Sequence, residues 1–144
     1  MAMSKGQIEA NISEALIKFE KEYMGRGPEE TKTYIIDDII VIRLKRVLTP
    51  AEQQLAGASD ETTGRTLIKR VRTELLEKAR PLLEQIIVDL TGKRVKCLHT
   101  DISTVTGERV IIFTLESPVL FGHCRSCLDT DSKNQMTQKF LLTT

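Results

Sequence analysis

Apolar residues recur at spacings of three and four in the first part of the chain, a pattern that predicts an amphipathic helix. A Ser-x-x-Gln capping box at Ser4 and Gln7 marks its start, because these side chains pair with backbone groups that the first helical turn leaves unpaired. Gly25 is the expected stop, since glycine readily adopts the left-handed conformation that ends helices. The apolar stripe comprises Ile8, Ile12, Ala15, Leu16, Phe19 and Tyr23.

β-branched residues dominate after the glycine- and proline-containing break at residues 25–28. They predict two strands, at residues 34–36 and 39–47, joined by a tight turn at Asp37 and Asp38. A single long strand with a bulge is the alternative interpretation of the same residues.

A second helix is predicted to begin at Thr49. The sequence places Thr49 at the N-cap, Pro50 at the first helical position and Glu52 at the third. Proline is tolerated there because the N–H it lacks has no partner within the helix in any case. Gly57 follows a few residues later, so this helix must be short.

The longest helical pattern covers residues 59–91 and contains Pro81, which predicts a kink, or a break into two helices near Arg80. One apolar stripe is expected to face the core: Ile68, Val71, Leu75, Ala79, Leu82 and Ile86. A second line runs beside it: Arg65, Lys69, Arg72, Leu76, Leu83 and Ile87. Apolar residues this far around a helix exceed what one sheet face covers, so we expect self-association as a homodimer.

Two further strands are predicted at residues 94–102 and 109–116, joined by a polar turn. The predicted fold class is therefore α+β, in the order α-β-β-α-α-β-β. We expect a two-layer sandwich, with a four-stranded, mostly antiparallel sheet and the helices on one face. Whether the hairpins join within one subunit or across a dimer is left open. The domain is predicted to span residues 4–117, with a mobile polar tail at 118–144.

Composition excludes several classes of protein. Hydrophobic residues make up 40% of the 144 residues and charged residues 28%, as in an ordinary globular domain. A net charge of +1 does not favour nucleic-acid binding, and no apolar run suits membrane insertion. Three cysteines and no signal-peptide pattern predict a reducing, cytoplasmic location.

The most conspicuous short motif is a Cys-x-x-Cys pair, Cys124 and Cys127, preceded by His123. Two thiolates at this spacing can hold Zn²⁺ with help from a histidine. A structural zinc site needs four ligands, however, and the others would have to be Cys97 and His99 or a second copy of the motif. An inert stretch is the favoured interpretation, a redox pair is the other alternative, and no cofactor is expected.

Cys97, His99 and Asp101 alternate along one predicted strand, so their side chains should share a face. A histidine beside a carboxylate can serve as a base or as half of a metal site. No nucleophile or second carboxylate accompanies them, so a solvated sheet face is favoured. The chain carries no complete catalytic motif.

Two features suggest contact with anions. The Gly-Arg-Gly-Pro turn around Arg26 can bring backbone amides and a guanidinium close to a negative group, although such a turn is also a common connector. Basic side chains at residues 65–72 form a cluster, but Glu74, Glu77 and Glu84 follow closely. A solvated helix face is the favoured interpretation of this balanced charge.

Short pieces in a characteristic order make the chain resemble the MpsC family. They are GRGP at 25–28, DIIVIRL at 38–44, LTPAE at 48–52, GR at 64–65, Arg72, LTG at 90–92, HTDI at 99–102 and FTL at 113–115. The resemblance implies association with a Na⁺-translocating, membrane-potential-generating system and, in related systems, with inorganic-carbon uptake. It supplies no catalytic residues. The positions that match the family pattern are candidates for a shared ligand or partner surface: Arg26, Thr49, Glu52, Arg72, His99 and Asp101.

Three functions are compatible with these observations. The favoured one is a non-enzymatic accessory or regulatory protein that acts by protein–protein interaction. Its expected partners are components of a membrane transport system, so the cytoplasmic chain would be peripheral to the membrane through a partner. A small-ligand or metal sensor is the alternative. An RNA-binding module ranks third, because among the aromatic residues only Tyr34 and Phe113 fall in predicted strands.

Overall fold

A computed structural model describes residues 3–57 and 61–121 of the chain. These residues form three α-helices and four β-strands in the predicted order. The elements are α1 (Lys5–Tyr23), β1 (Glu30–Ile36), β2 (Ile39–Lys45), α2 (Pro50–Ala56), α3 (Glu61–Thr91), β3 (Val95–Ile102) and β4 (Arg109–Leu115). The expected α+β class is therefore confirmed.

The four strands form one antiparallel sheet in the order β1-β2-β4-β3. β2 and β4 join the two hairpins at the centre of the sheet, where Ile42 pairs with Ile111. The sheet is thus completed within one chain, which answers the question left open by the sequence. The β1–β2 turn is tight, with Asp37 at a φ of 53°, so the single long strand is the wrong alternative.

The helices cover one face of the sheet. α1 packs mainly on β1, α3 packs on β3 and on α1, and α2 packs on α3. The inner face of the central strands is fully buried, whereas the outer face is partly exposed and carries a row formed by Tyr34, Val41, Ile112 and His99. This arrangement is the predicted two-layer sandwich.

The capping signals at the helix starts act as predicted. The Ser4 hydroxyl accepts from the Gln7 N–H, and the Gln7 side chain accepts from the Ser4 N–H. At the other end of α1 the chain turns at Gly25, whose φ of 83° suits glycine. Tyr23 is an exception within the apolar stripe, because it is half exposed and stacks on the buried Phe19.

The predicted break at Pro81 is wrong, because α3 runs as one helix from Glu61 to Thr91. Pro81 is exposed, and buried side chains lie on both sides of it along the helix. Burial of Ala79 and Leu83 holds both halves against the same core, and we attribute the continuity of the helix to this packing.

The face of α3 that enters the core differs in part from the expected one. The structure buries Ile68 and Ala79 of the expected stripe, together with four residues of the second line, Arg72, Leu76, Leu83 and Ile87. Four apolar residues of the expected face, or next to it, remain exposed: Leu67 (50%), Val71 (48%), Leu75 (37%) and Leu82 (41%). The two stripes lie side by side on the helix, so spacing does not distinguish them. The second line contains Arg72, whose charge is paired inside the protein.

In the part of the chain that the structure describes, no helix combines the length and the apolar character required to span a membrane.

Candidate functional site

Three of the predicted surface residues meet at the start of α2. The Thr49 hydroxyl accepts from the Glu52 N–H at 3.2 Å, and the Thr49 N–H donates to Glu52 Oε1 at 3.0 Å. This reciprocal capping box fixes the Glu52 carboxylate beside the first turn of the helix. The carboxylate is thereby held in position to receive Arg72 from α3.

Arg72 binds Glu52 through a two-point fork. Its Nε donates to Glu52 Oε2 at 2.9 Å and its Nη2 donates to Glu52 Oε1 at 2.7 Å. Nη2 also donates to the Val47 carbonyl at 2.8 Å, which ties α3 to the segment between β2 and α2. Bidentate arginine–carboxylate pairs are among the stronger and more directional hydrogen bonds in proteins. Here the pair joins two helices.

Two residues that the sequence interpretation missed complete this group. Glu20 is fully buried, with Oε2 at 3.4 Å from Arg72 Nη1 and Oε1 at 3.5 Å from Arg109 Nη1. Arg109, also buried, donates to the Thr100 hydroxyl at 3.3 Å and to the Arg72 carbonyl at 3.4 Å. We call these four charged residues the arginine–glutamate cluster: Glu20, Glu52, Arg72 and Arg109.

A weak sequence signal for the missed residues exists. Glu20 follows Phe19 and lies four residues after Leu16, beside the apolar stripe of α1. Arg109 occupies the same strand face as Ile111 and Phe113, both of which are buried. A charged residue in phase with a buried face predicts a charge paired in the interior, but the sequence does not identify the partner.

Burial and charge act in opposite directions on the carboxyl groups of the cluster. For Glu20 burial dominates and raises the pKa above its ordinary value of 4.5, although Arg109 and Arg72 oppose the shift. For Glu52 burial also works to raise the pKa, but the Arg72 fork and the Thr49 capping bonds outweigh it. The pKa of Glu52 therefore lies below 4.5. Burial also lowers the pKa of Arg109.

An apolar groove lies beside the cluster, between α2 and α3. It encloses about 280 Å³, and Glu52 and Arg72 contribute to its wall. The remaining lining is largely apolar and includes Met24, Leu55, Leu67, Ile68, Val71 and Leu75. The polar atoms of the cluster are directed mainly at one another, so the groove presents chiefly hydrocarbon to solvent.

The other three surface candidates lie elsewhere. Arg26, in the loop after α1, donates through Nη1 to the Leu48 carbonyl at 3.0 Å. His99 and Asp101 lie on the outer face of the sheet, away from the buried cluster, and Lys69 Nζ is 3.5 Å from Asp101 Oδ1. The six candidates therefore divide between an interior cluster, a loop and a sheet face.

The cysteine motif is not part of the described structure, because His123, Cys124 and Cys127 lie outside the described residues. Cys97 is a free, partly buried cysteine on the same face of β3 as His99. Within residues 3–57 and 61–121, no group of three histidine, cysteine or acidic side chains is arranged to hold a metal ion. Zinc binding by the motif stays a prediction.

Comparison with known proteins adds a family. Residues 4–117 match the family described as Na⁺-translocating membrane potential-generating system (MpsC). The chain belongs to the MpsC family. A further relative is the uncharacterized protein YbcI of Bacillus subtilis (strain 168), which is 45% identical over 115 residues. That alignment covers 80% of this chain and 90% of YbcI. No solved structure matches the chain.

The family assignment confirms the resemblance inferred from the short motifs. Three of the motifs that carried the resemblance lie in one region of the fold. LTPAE contains the capping box, Arg72 forms the two-point fork with Glu52, and GRGP contains Arg26, which contacts the Leu48 carbonyl. The HTDI motif lies instead along β3, with His99 and Asp101 facing outward. The family description names a membrane system. The structure adds two features, the buried arginine–glutamate cluster and the exposed apolar residues of α3.

Proposed function

We propose that this chain is a non-enzymatic accessory or regulatory protein of a membrane system, and that it works as a homodimer joined through α3. The exposed stripe of Leu67, Val71, Leu75 and Leu82 is the observation that carries the proposal. Contiguous apolar patches of this kind commonly mark interaction surfaces. The family description supports the membrane context.

The charges along α3 suit a second copy of the same helix in antiparallel orientation. Residues 65–72 carry basic but no acidic side chains; Lys69 and Arg70 are exposed, Arg65 is partly buried, and Arg72 is buried against Glu52 and Glu20. Residues 73–91 carry four acidic side chains and two basic ones: Glu74, Glu77, Glu84, Asp89, Lys78 and Arg80. An antiparallel pair therefore places the basic half of one helix beside the acidic half of the other, whereas a parallel pair juxtaposes like charges.

The positions of the exposed apolar residues define a register for the antiparallel α3 pair. A twofold axis between Leu75 and Lys78 brings Val71 of one copy over Leu82 of the other. The same axis places Leu75 of each copy opposite Lys78 of the other, so that Glu74 lies one residue away from the partner's Lys78. The pair would bury the apolar wall of the groove described above.

A charge-swap series tests this interface. Glu74→Lys and Lys78→Glu each create a repulsive contact across the twofold and should weaken the dimer. The double variant Glu74→Lys/Lys78→Glu restores opposite charges and should recover most of the affinity. The dimer dissociation constant, measured by sedimentation velocity over a range of concentrations, is the readout. Single variants that leave the dissociation constant unchanged, or a double variant that recovers none of the affinity, would contradict the antiparallel register.

The accessory function is tested separately with defined partners. Membrane proteins encoded beside this gene are co-expressed with the tagged chain, solubilised in detergent and captured through the tag. Retention of one of these proteins at constant stoichiometry is the expected result. A chain that retains none of them, while remaining folded, would contradict the accessory role.

The structure supports RNA binding less well than the sequence does. Of the two strand aromatics, Phe113 is buried in the core and Tyr34 lies exposed on the outer face of the sheet. Base-stacking platforms use more than one exposed aromatic ring. The small-ligand alternative has one specific observation in its favour, a basic cavity near Arg26.

A further inference from the structure

A cavity of about 610 Å³ lies where the loop after α1, the end of β2, both later helices and the β3–β4 turn meet. Small-molecule pockets have volumes of roughly 300–1,000 Å³, so the cavity has a suitable size. Three arginines contribute to its walls, Arg26, Arg46 and Arg65, and no carboxylate belongs to its described lining. We call it the basic cavity.

The first arginine is held in place by the backbone. Arg26 Nη1 donates to the Leu48 carbonyl at 3.0 Å, and Gln53 Nε2 donates to the same oxygen at 3.2 Å. An arginine has five N–H donors, so this bond fixes the guanidinium while others are available to a ligand. The loop after α1, the segment between β2 and α2, and α2 itself are thus tied together at one wall of the cavity.

The second arginine has an unusual backbone conformation. Arg46 has a φ of 55°, a left-handed value that non-glycine residues adopt uncommonly and that costs energy. The next N–H, of Val47, donates to the Gly107 carbonyl at 2.9 Å and fixes the end of β2 against the β3–β4 turn. Strain of this kind is concentrated at functional sites. At the margin, Arg46 Nε lies 3.0 Å from Glu29 Oε2, and both side chains are exposed.

The third arginine comes from α3, where Arg65 is partly buried. Three arginines from three separate elements therefore line the cavity. The charged residues of the described lining are all arginines, and Glu29 at the margin offsets part of the charge of Arg46. A multiply charged anion fits this arrangement.

The presence of three arginines in the lining favours a phosphate ligand over a carboxylate. A carboxylate offers two oxygens in one plane, whereas a phosphate monoester offers three terminal oxygens in a tetrahedral array that separate guanidinium groups can share. We infer that the basic cavity binds a small phosphate-bearing molecule from solution. This inference is independent of the proposed dimer, because the α3 stripe contributes no residue to the cavity.

Titration calorimetry on the full-length chain tests the inference, with glycerol 3-phosphate as the probe and malonate as a dicarboxylate of similar charge. Saturable binding of glycerol 3-phosphate at one site per chain, tighter than that of malonate, is expected. Arg46→Gln and Arg65→Gln should each weaken it roughly tenfold, the effect of losing one charged hydrogen bond. Arg94→Gln, which removes an exposed arginine outside the cavity, is the matched control and should leave binding unchanged.

Three results would overturn the inference. The first is absence of glycerol 3-phosphate binding by the folded wild-type chain. The second is equal affinity for malonate, or equal weakening by Arg94→Gln, since either would indicate nonspecific attraction to charge. The third is binding to phosphatidic acid vesicles through Arg46 and Arg65 without binding of soluble glycerol 3-phosphate. That outcome would identify a lipid headgroup as the source of the phosphate.

Discussion

At the scale of single residues, Arg72 connects three distant parts of the chain. Its guanidinium reaches Glu52 at the start of α2, the Val47 carbonyl after β2 and Glu20 on α1. Since the group is buried, each of these partners compensates part of the cost of removing charge from water. Loss of the correct donor geometry therefore leaves buried acceptors unpaired.

The variant Arg72→Lys should lower the free energy of unfolding. Lysine keeps the positive charge but cannot form the two-point fork with Glu52, and the resulting unpaired acceptors cost about 2 kcal/mol. Arg70→Lys, an exposed exchange of the same type on α3, should change the free energy by less than about 0.5 kcal/mol. Urea unfolding followed by circular dichroism measures both, and equal midpoints for the two variants would contradict the role given to Arg72.

The pH dependence of stability should distinguish Glu52 from Glu20. The pKa of Glu52 is below 4.5 in the folded chain, so its stabilising contribution is present above 4.5 and is lost as the pH falls through the folded pKa. The advantage of the wild type over Glu52→Gln should therefore shrink as the pH is lowered from 7 to about 3.

For Glu20 the pH dependence of stability has the opposite sign. Its pKa is raised above 4.5 in the folded chain, so the folded state takes up a proton at a higher pH than the unfolded state does. Stability is therefore gained as the pH falls from the folded pKa to the unfolded pKa of 4.5. The wild type should then gain stability relative to Glu20→Gln on mild acidification. Unfolding curves of both variants across this pH range provide the check, and slopes of the same sign would contradict the assigned shifts.

At the scale of elements, the close crossing of α2 and α3 depends on Gly64. A Cβ added at this position would lie 2.2 Å from the Leu55 carbonyl oxygen, far inside van der Waals contact. The glycine therefore permits the two helices to approach closely next to the apolar groove. This approach also brings Arg72 within reach of Glu52.

Substitution Gly64→Ala should destabilise the chain although alanine is the better helix former. The clash is with backbone, which cannot swing away, and a forced shift of this kind costs about 1–3 kcal/mol. Gly6→Ala, in α1 with open space around the Cβ position, is the matched control and should stabilise by up to about 1 kcal/mol. A thermal unfolding midpoint for Gly64→Ala at or above that of the wild type would refute the close approach.

Local chemistry made the elements predictable, whereas the cluster depended on tertiary contacts. The capping boxes at Ser4 and Thr49 lie within four residues, so the sequence displays them directly. Glu20 and Arg109 are 89 positions apart, and no short pattern records that they meet. The buried face of α3 was missed for a related reason, since Arg72 appears polar in sequence and is neutralised only by long-range partners.

At the scale of the whole molecule, the described residues combine a paired interior with an exposed apolar stripe on α3. The four-stranded sheet is complete within the chain, and the arginine–glutamate cluster joins both later helices to it. Against this frame, the α3 stripe of Leu67, Val71, Leu75 and Leu82 lies exposed on the surface. The proposed homodimer therefore depends on a second copy covering that stripe.

Sedimentation equilibrium of the purified chain tests this claim most directly. The wild type and Ile36→Lys, which alters the outer sheet face instead, should both sediment at twice the monomer mass of 16.3 kDa. The double variant Val71→Lys/Leu75→Lys should remain folded and sediment at 16.3 kDa. A wild-type chain that sediments as a monomer, or a double variant that stays dimeric, would contradict the proposed α3 interface.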